Sequence, residues 1–128
     1  RLVQGSVFDF LEYKKIGCDI DQADDQLMIA KGYDHNYILQ TRQPESDPIA
    51  LLYEPISRRR LSLFSSQPGL QLYTCNWDEG RTEEGYGGQI YQRHSFVCLE
   101  PQHFPDSPNH INFPSVVLRA GEKYQHFS

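Results

Sequence analysis

Apolar residues in this chain recur at every second position in short runs, and proline, glycine, asparagine or aspartate closes off each run. That period belongs to half-buried strands and not to helices. Residues 70–74 are the clearest case. After the Pro68-Gly69 turn, alternation sends Leu70 and Leu72 to one face and Gln71 and Tyr73 to the other. Comparable runs occupy residues 7–11, 36–40, 49–53, 60–65, 96–100 and 115–118. Residues 19–28, where acids precede Leu27 and Met28, permit a short helix or turn. About seven short strands predict an all-β fold, an antiparallel β-sandwich.

At 128 residues the chain has enough length for one core, and the size prior favours one domain. A formal net charge of -5 gives no field that would recruit phosphate backbones or anionic lipid, so neither a nucleic acid nor a membrane is expected as a partner. The basic run Arg58-Arg59-Arg60 lies between two apolar runs and reads as a solvated turn. Cys18, Cys75 and Cys98 are odd in number and lack CxxC spacing, which fits a reducing, cytoplasmic compartment better than a disulfide framework or a zinc site. The amino end, Arg1-Leu2-Val3-Gln4-Gly5, has no signal pattern and no initiator methionine, which predicts a cut or incomplete chain.

Residues 95–102 deliver a carboxylate, Glu100, to the far end of a strand-like run, next to Pro101. The proline-rich turn that follows, residues 104–109 leading to Phe113-Pro114, would hold that strand end in place, so Glu100 is the candidate general base. Gly32-Tyr33-Asp34-His35-Asn36-Tyr37 sets Asp, His and Asn side by side before an apolar run. Such converging carboxylates and amides suit sugar hydroxyls, with Tyr33, Tyr37, Tyr73 or Trp77 offering an aromatic face. Read singly, Asp34 also suits a turn cap and Gln71 a solvent-facing strand position. Two loops stand out, residues 41–48 and the glycine-rich residues 77–92, the second a candidate pocket border or a plain surface connection. The five histidines show no metal-ligand spacing, so no metal is expected, and there is no serine-nucleophile elbow, phosphate loop or dinucleotide fingerprint.

Three segments together resemble the C-terminal portion of the aldose 1-epimerase (galactose mutarotase) family: residues 32–37, residues 67–76, and residues 98–102 continuing through Pro105-Asp106, Asn109 and Phe113-Pro114 to Leu118-Arg119-Ala120-Gly121-Glu122-Lys123-Tyr124. The resemblance implies the C-terminal part, residues 1–128, of a large β-supersandwich domain, with the N-terminal half of that domain as a missing partner. It further implies a free monosaccharide, galactose or glucose, as substrate, and no cofactor. Glu100 would be the general base, Asp34 and Gln71 the sugar-binding residues, and His35 and Gln102 would stand behind them. Mutarotation requires loss of the anomeric O1 proton, protonation of the ring oxygen, rotation about C1–C2 in the open aldehyde, and reclosure. An ionised Glu100 meets the first requirement. The family's acid, a histidine of the N-terminal half, is in none of the matched segments, and His35 aligns with a histidine beside the binding aspartate.

The chain departs from the family where Cys75 replaces glycine or serine, Pro101 replaces threonine and Ala120 replaces proline. Pro101 removes a backbone N–H beside the base and bears on the pairing of that strand. Two other readings of the same residues remain: a hexose-6-phosphate 1-epimerase, and a non-catalytic carbohydrate-binding module that keeps Asp34 and Gln71.

Overall fold

The computed structural model describes residues 2–40, 45–77 and 84–128. Among the described residues there are five strands, β1 Asp34–Ile38, β2 Ala50–Glu54, β3 Arg59–Leu63, β4 Gly69–Tyr73 and β5 Cys98–Gln102, and one short helix, α1 Asp25–Ala30. The class is all-β, as expected. Strands β1, β4 and β5 form one sheet in the order β1-β4-β5, and β2 and β3 form an antiparallel pair.

The helix falls within the stretch where acids precede an apolar pair. Asp24 caps it, its side chain accepting from the Gln26 N–H at 2.9 Å, and Lys31 ends it in a left-handed conformation with φ 57°. Leu27 is its one buried residue.

Two expected strands did not form. Residues 7–11 are held instead in a local turn, because side chains capture the backbone donors that a ladder would need. Asp9 accepts from the Gly5 N–H at 2.8 Å and the Leu11 N–H at 3.0 Å, and Ser6 Oγ accepts from the Phe8 N–H at 3.2 Å. At residues 115–118 the Ser115 hydroxyl takes the Val117 N–H at 3.2 Å, and Val116, Val117 and Leu118 stay exposed. The remaining runs are strands shifted by no more than two residues.

Two compact units divide the chain. Residues 1–35 and 72–98 make the first, in which Phe8, Ile20, Leu27, Tyr33, Leu72 and Cys75 are buried. Tyr33 is wholly enclosed; its hydroxyl donates to the Val7 carbonyl at 2.9 Å, and its ring meets Phe8 and Phe10 edge-on at 6.0 and 5.2 Å.

Residues 36–71 and 99–128 make the second unit. Its β2–β3 hairpin pairs Ala50 with Leu63 through to Glu54 with Arg59. The Glu54 carboxylate accepts from the Ile56 and Ser57 N–H groups in the turn at 2.9 and 2.6 Å. Arg58 has φ 60° in that turn, and Arg60 lies 5.3 Å over the Tyr53 ring, so the basic run is the hairpin corner the sequence suggested. The carboxyl-terminal segment is tied to residues 65–67: Ser65 Oγ donates to the Phe127 carbonyl at 3.1 Å, and Gln67 Nε2 to the Tyr124 hydroxyl at 3.0 Å.

Candidate functional site

The residues singled out by sequence fall on the three-stranded sheet, with Asp34 and His35 opening β1, Gln71 in the middle of β4, and Glu100 and Gln102 on β5. Asp34 and His35 belong to the first unit; Gln71, Glu100 and Gln102 belong to the second.

In the second unit the expected alternation of β4 holds. Leu70 is buried and Gln71 is half-buried on the opposite face. The neighbouring strand β5 carries Glu100, an exposed carboxylate, and two residues later the half-buried Gln102 on the same face. Pro101 lies inside β5, which ends the sheet order. Among the described residues β5 is the last strand of this sheet, where the loss of an N–H is tolerated, and the strand around Glu100 forms with Pro101 in it. Gly69, at the head of β4, stands in a crowded place. A Cβ there would lie 2.8 Å from both the Nδ2 and Oδ1 atoms of Asn36 and 3.1 Å from the Gln102 carbonyl. Beyond β5 the chain turns: Asp106 has φ 61°, a single 3-10 turn covers Ser107–Asn109, and Phe104 and Phe113 meet edge-on at 5.2 Å.

In the first unit Asp34 is exposed directly after the enclosed Tyr33. Its backbone N–H donates to His35 Nδ1 at 3.0 Å, which makes that nitrogen an acceptor, and the His35 ring packs 4.6 Å from Phe8. His35 therefore contacts the backbone of Asp34. On the other side of Tyr33, the Tyr33 N–H donates to Thr74 Oγ1 at 3.0 Å, the Thr74 hydroxyl donates to Asn76 Oδ1 at 2.7 Å, and Asn76 Nδ2 donates to the Tyr33 carbonyl at 2.9 Å. The Thr74 N–H reaches the same carbonyl at 3.1 Å. Sequence reasoning gave Thr74, Asn76 and His94 no role, although the first two lie in a matched segment. His94 has φ 62°, and its Nδ1 stands 2.7 Å from the Thr74 carbonyl and is thus the protonated nitrogen. Its Nε2 is buried with no partner among the described residues.

Burial pushes the Tyr33 phenol up to about 12, with the nearby Asp19 carboxylate and Cys18 adding to the effect. Asp19 in turn is held below the usual carboxylate range by the hydrogen bond from Lys14 Nζ at 2.7 Å. Of the two long loops, residues 41–44 and 78–83 lie outside the described residues; the rest of the second carries a bridge between Glu84 and Ile90 around a 3-10 turn, Tyr86–Gly88. Among the described residues no helix is long and apolar enough to cross a membrane.

Comparison with known proteins gives a consistent result. The sequence profile of the family described as aldose 1-epimerase matches residues 2–128. Galactose mutarotase of Homo sapiens is 38% identical over 124 residues, covering 97% of this chain and 34% of the relative. Galactose mutarotase of Rattus norvegicus is 36% identical over the same shares. Aldose 1-epimerase of Escherichia coli (strain K12) is 33% identical over 126 residues, 97% of this chain and 36% of the relative. The chain thus spans about a third of the length of these relatives, in their C-terminal part.

Proposed function

This chain belongs to the aldose 1-epimerase family, and from that membership we propose that it is the C-terminal part of a single epimerase domain that interconverts the α and β anomers of free hexoses such as galactose or glucose. The match of residues 2–128 to the family carries the reading. Relatives named galactose mutarotase and aldose 1-epimerase support the substrate class and the reaction.

In this reading Glu100 is the general base. Its exposed position on β5 leaves the carboxylate open to a ligand, where it takes the proton from the anomeric O1 as the ring C1–O5 bond breaks. The O1–H electrons become the aldehyde C=O, and O5 receives a proton from an acid. Rotation about C1–C2 presents the other carbonyl face, O5 attacks as it gives its proton back to the acid, and Glu100 returns its proton to O1. Asp34 and Gln71 hold sugar hydroxyls, the carboxylate as acceptor and the amide as both donor and acceptor. His35 supports Asp34 through its contact with the Asp34 N–H, and Gln102 supports the strand that bears the base. The acid for O5 is, on the family resemblance, a histidine of the N-terminal part of the domain, and in this reading that part is the partner of this chain.

The test is polarimetric mutarotation of α-galactose and α-glucose by the full-length protein and by Glu100→Gln. A positioned proton transfer contributes about 10² to 10⁴ in rate, so turnover should fall by that factor while sugar binding persists. Unchanged turnover on substitution removes Glu100 from the mechanism. Sugar binding with no turnover in either protein identifies a carbohydrate-binding module, and faster turnover of hexose 6-phosphate than of the free sugar reassigns the substrate.

A further inference from the structure

We propose that Thr74 and Asn76 form a clamp that positions Asp34 for the sugar, an inference that rests on the sugar-binding role assigned to Asp34 above. Asp34 is exposed, yet Tyr33 before it is wholly enclosed. The direction of a strand side chain is set by the backbone of its own and the preceding peptide. Here the peptides on both sides of Tyr33 are held: the Gly32–Tyr33 peptide at the Tyr33 N–H by Thr74 Oγ1, and the Tyr33–Asp34 peptide at the Tyr33 carbonyl by the Thr74 N–H and the Asn76 amide.

The Thr74 hydroxyl closes the ring by donating to Asn76 Oδ1. Thr74 and Asn76 are each 1% exposed, so every member of this ring is taken from water and must be paired internally. The chain accepts backbone strain to hold it. Cys75, between the two clamp residues, has φ 51°, and His94, whose ring reaches the Thr74 carbonyl, has φ 62°. Gly32, one residue before Tyr33, has φ +143°, and a Cβ there would lie 2.8 Å from His94 Cε1 and 2.9 Å from Asn76 Cγ. The clamp closes over a site that only glycine fits. Its consequence is functional because Asp34 holds the sugar through ground state and transition state alike, so a misaimed carboxylate weakens uniform binding and raises KM with little effect on kcat.

Two substitutions at one position separate this from a role in folding alone. Thr74→Ser keeps the hydroxyl and deletes the buried methyl, whereas Thr74→Val keeps the shape and breaks the ring. Both lose stability. In the full-length protein, Thr74→Val and Asn76→Asp should raise KM for galactose about tenfold, equivalent to about 1.4 kcal/mol of binding, with kcat within twofold, while Thr74→Ser leaves KM unchanged. Amide exchange at the Tyr33 N–H should quicken in Thr74→Val and not in Thr74→Ser, a readout independent of activity. On an Asp34→Asn background Thr74→Val should add nothing to KM. If Thr74→Val and Thr74→Ser shift KM alike, or if neither shifts it in folded protein, the clamp does not position Asp34. If Asp34→Asn itself leaves KM unchanged, the sugar-binding role of Asp34 fails and this proposal with it.

Discussion

Replacing Gly32 with alanine should be among the most damaging single-atom additions in this chain, and its cost can be worked from the geometry. At φ +143° a residue with a Cβ is strained, which costs of order 1–3 kcal/mol. The new methyl would lie 2.9 Å from Asn76 Cγ, attached to the amide that satisfies the Tyr33 carbonyl. Asn76 is 1% exposed and has no room to yield without losing that bond, and an unpaired buried polar group costs about 1–3 kcal/mol. The two effects together predict a loss of about 2–6 kcal/mol, a large share of the ~5–15 kcal/mol that holds an ordinary domain. At a urea slope of ~2 kcal/mol/M the unfolding midpoint should fall by about 2 M. Gly17 is the control, because nothing lies within 4 Å of its Cβ position and its φ is not in the left-handed range, so Gly17→Ala should stay within about 0.5 kcal/mol of the parent. A Gly32→Ala protein that unfolds with the Gly17→Ala protein would refute the crowding argument, and with it the close packing of Asn76 and His94 around the Tyr33 peptide.

Two predictions concern pH. The Tyr33 phenol ionises higher in the folded chain than its ordinary value of 10.0, so the folded state keeps a proton that the unfolded state sheds. That stabilisation is complete below about pH 10 and is lost as pH rises toward 12. Tyr33→Phe should be less stable at neutral pH by about 1 kcal/mol for the lost hydrogen bond to Val7, and the gap should close between about pH 10 and 12; a gap that stays constant over that range rejects the assignment. Asp19 shifts the other way, its carboxyl held below 3.8 chiefly by Lys14, so its contribution is present above that value and lost as pH falls through the folded one. The difference in urea midpoint between parent and Lys14→Ala should therefore shrink as pH drops from about 5 to 2.5, and a difference that widens on acidification would overturn the pairing.

What could be read from the chain and what could not divide along a physical line. Alternation over residues 70–74 was decisive because burial on one face has a period of two, and the structure buries Leu70 and Leu72 while Gln71 stays half-buried. The same alternation misled at residues 7–11, where Ser6 and Asp9 compete for the donors that a strand would use, a competition that apolar periodicity does not register. Glu100 was picked out by its place at the end of a strand-like run, and Asp34 and Gln71 were assigned because their segments repeat a family pattern. The Tyr33 clamp was not, since a ring of hydrogen bonds that joins residues 41 and 43 positions apart has no period and no composition. Its one trace was Cys75, standing where the family commonly has glycine or serine. With φ 51° at that position the glycine preference acquires a cause: the corner between Thr74 and Asn76 turns left-handed with both side chains facing the Tyr33 backbone. A cysteine that bears this strain in a 3% exposed position gains some of it back through burial. With cysteine at this corner, Thr74 and Asn76 still reach the Tyr33 backbone on either side of it.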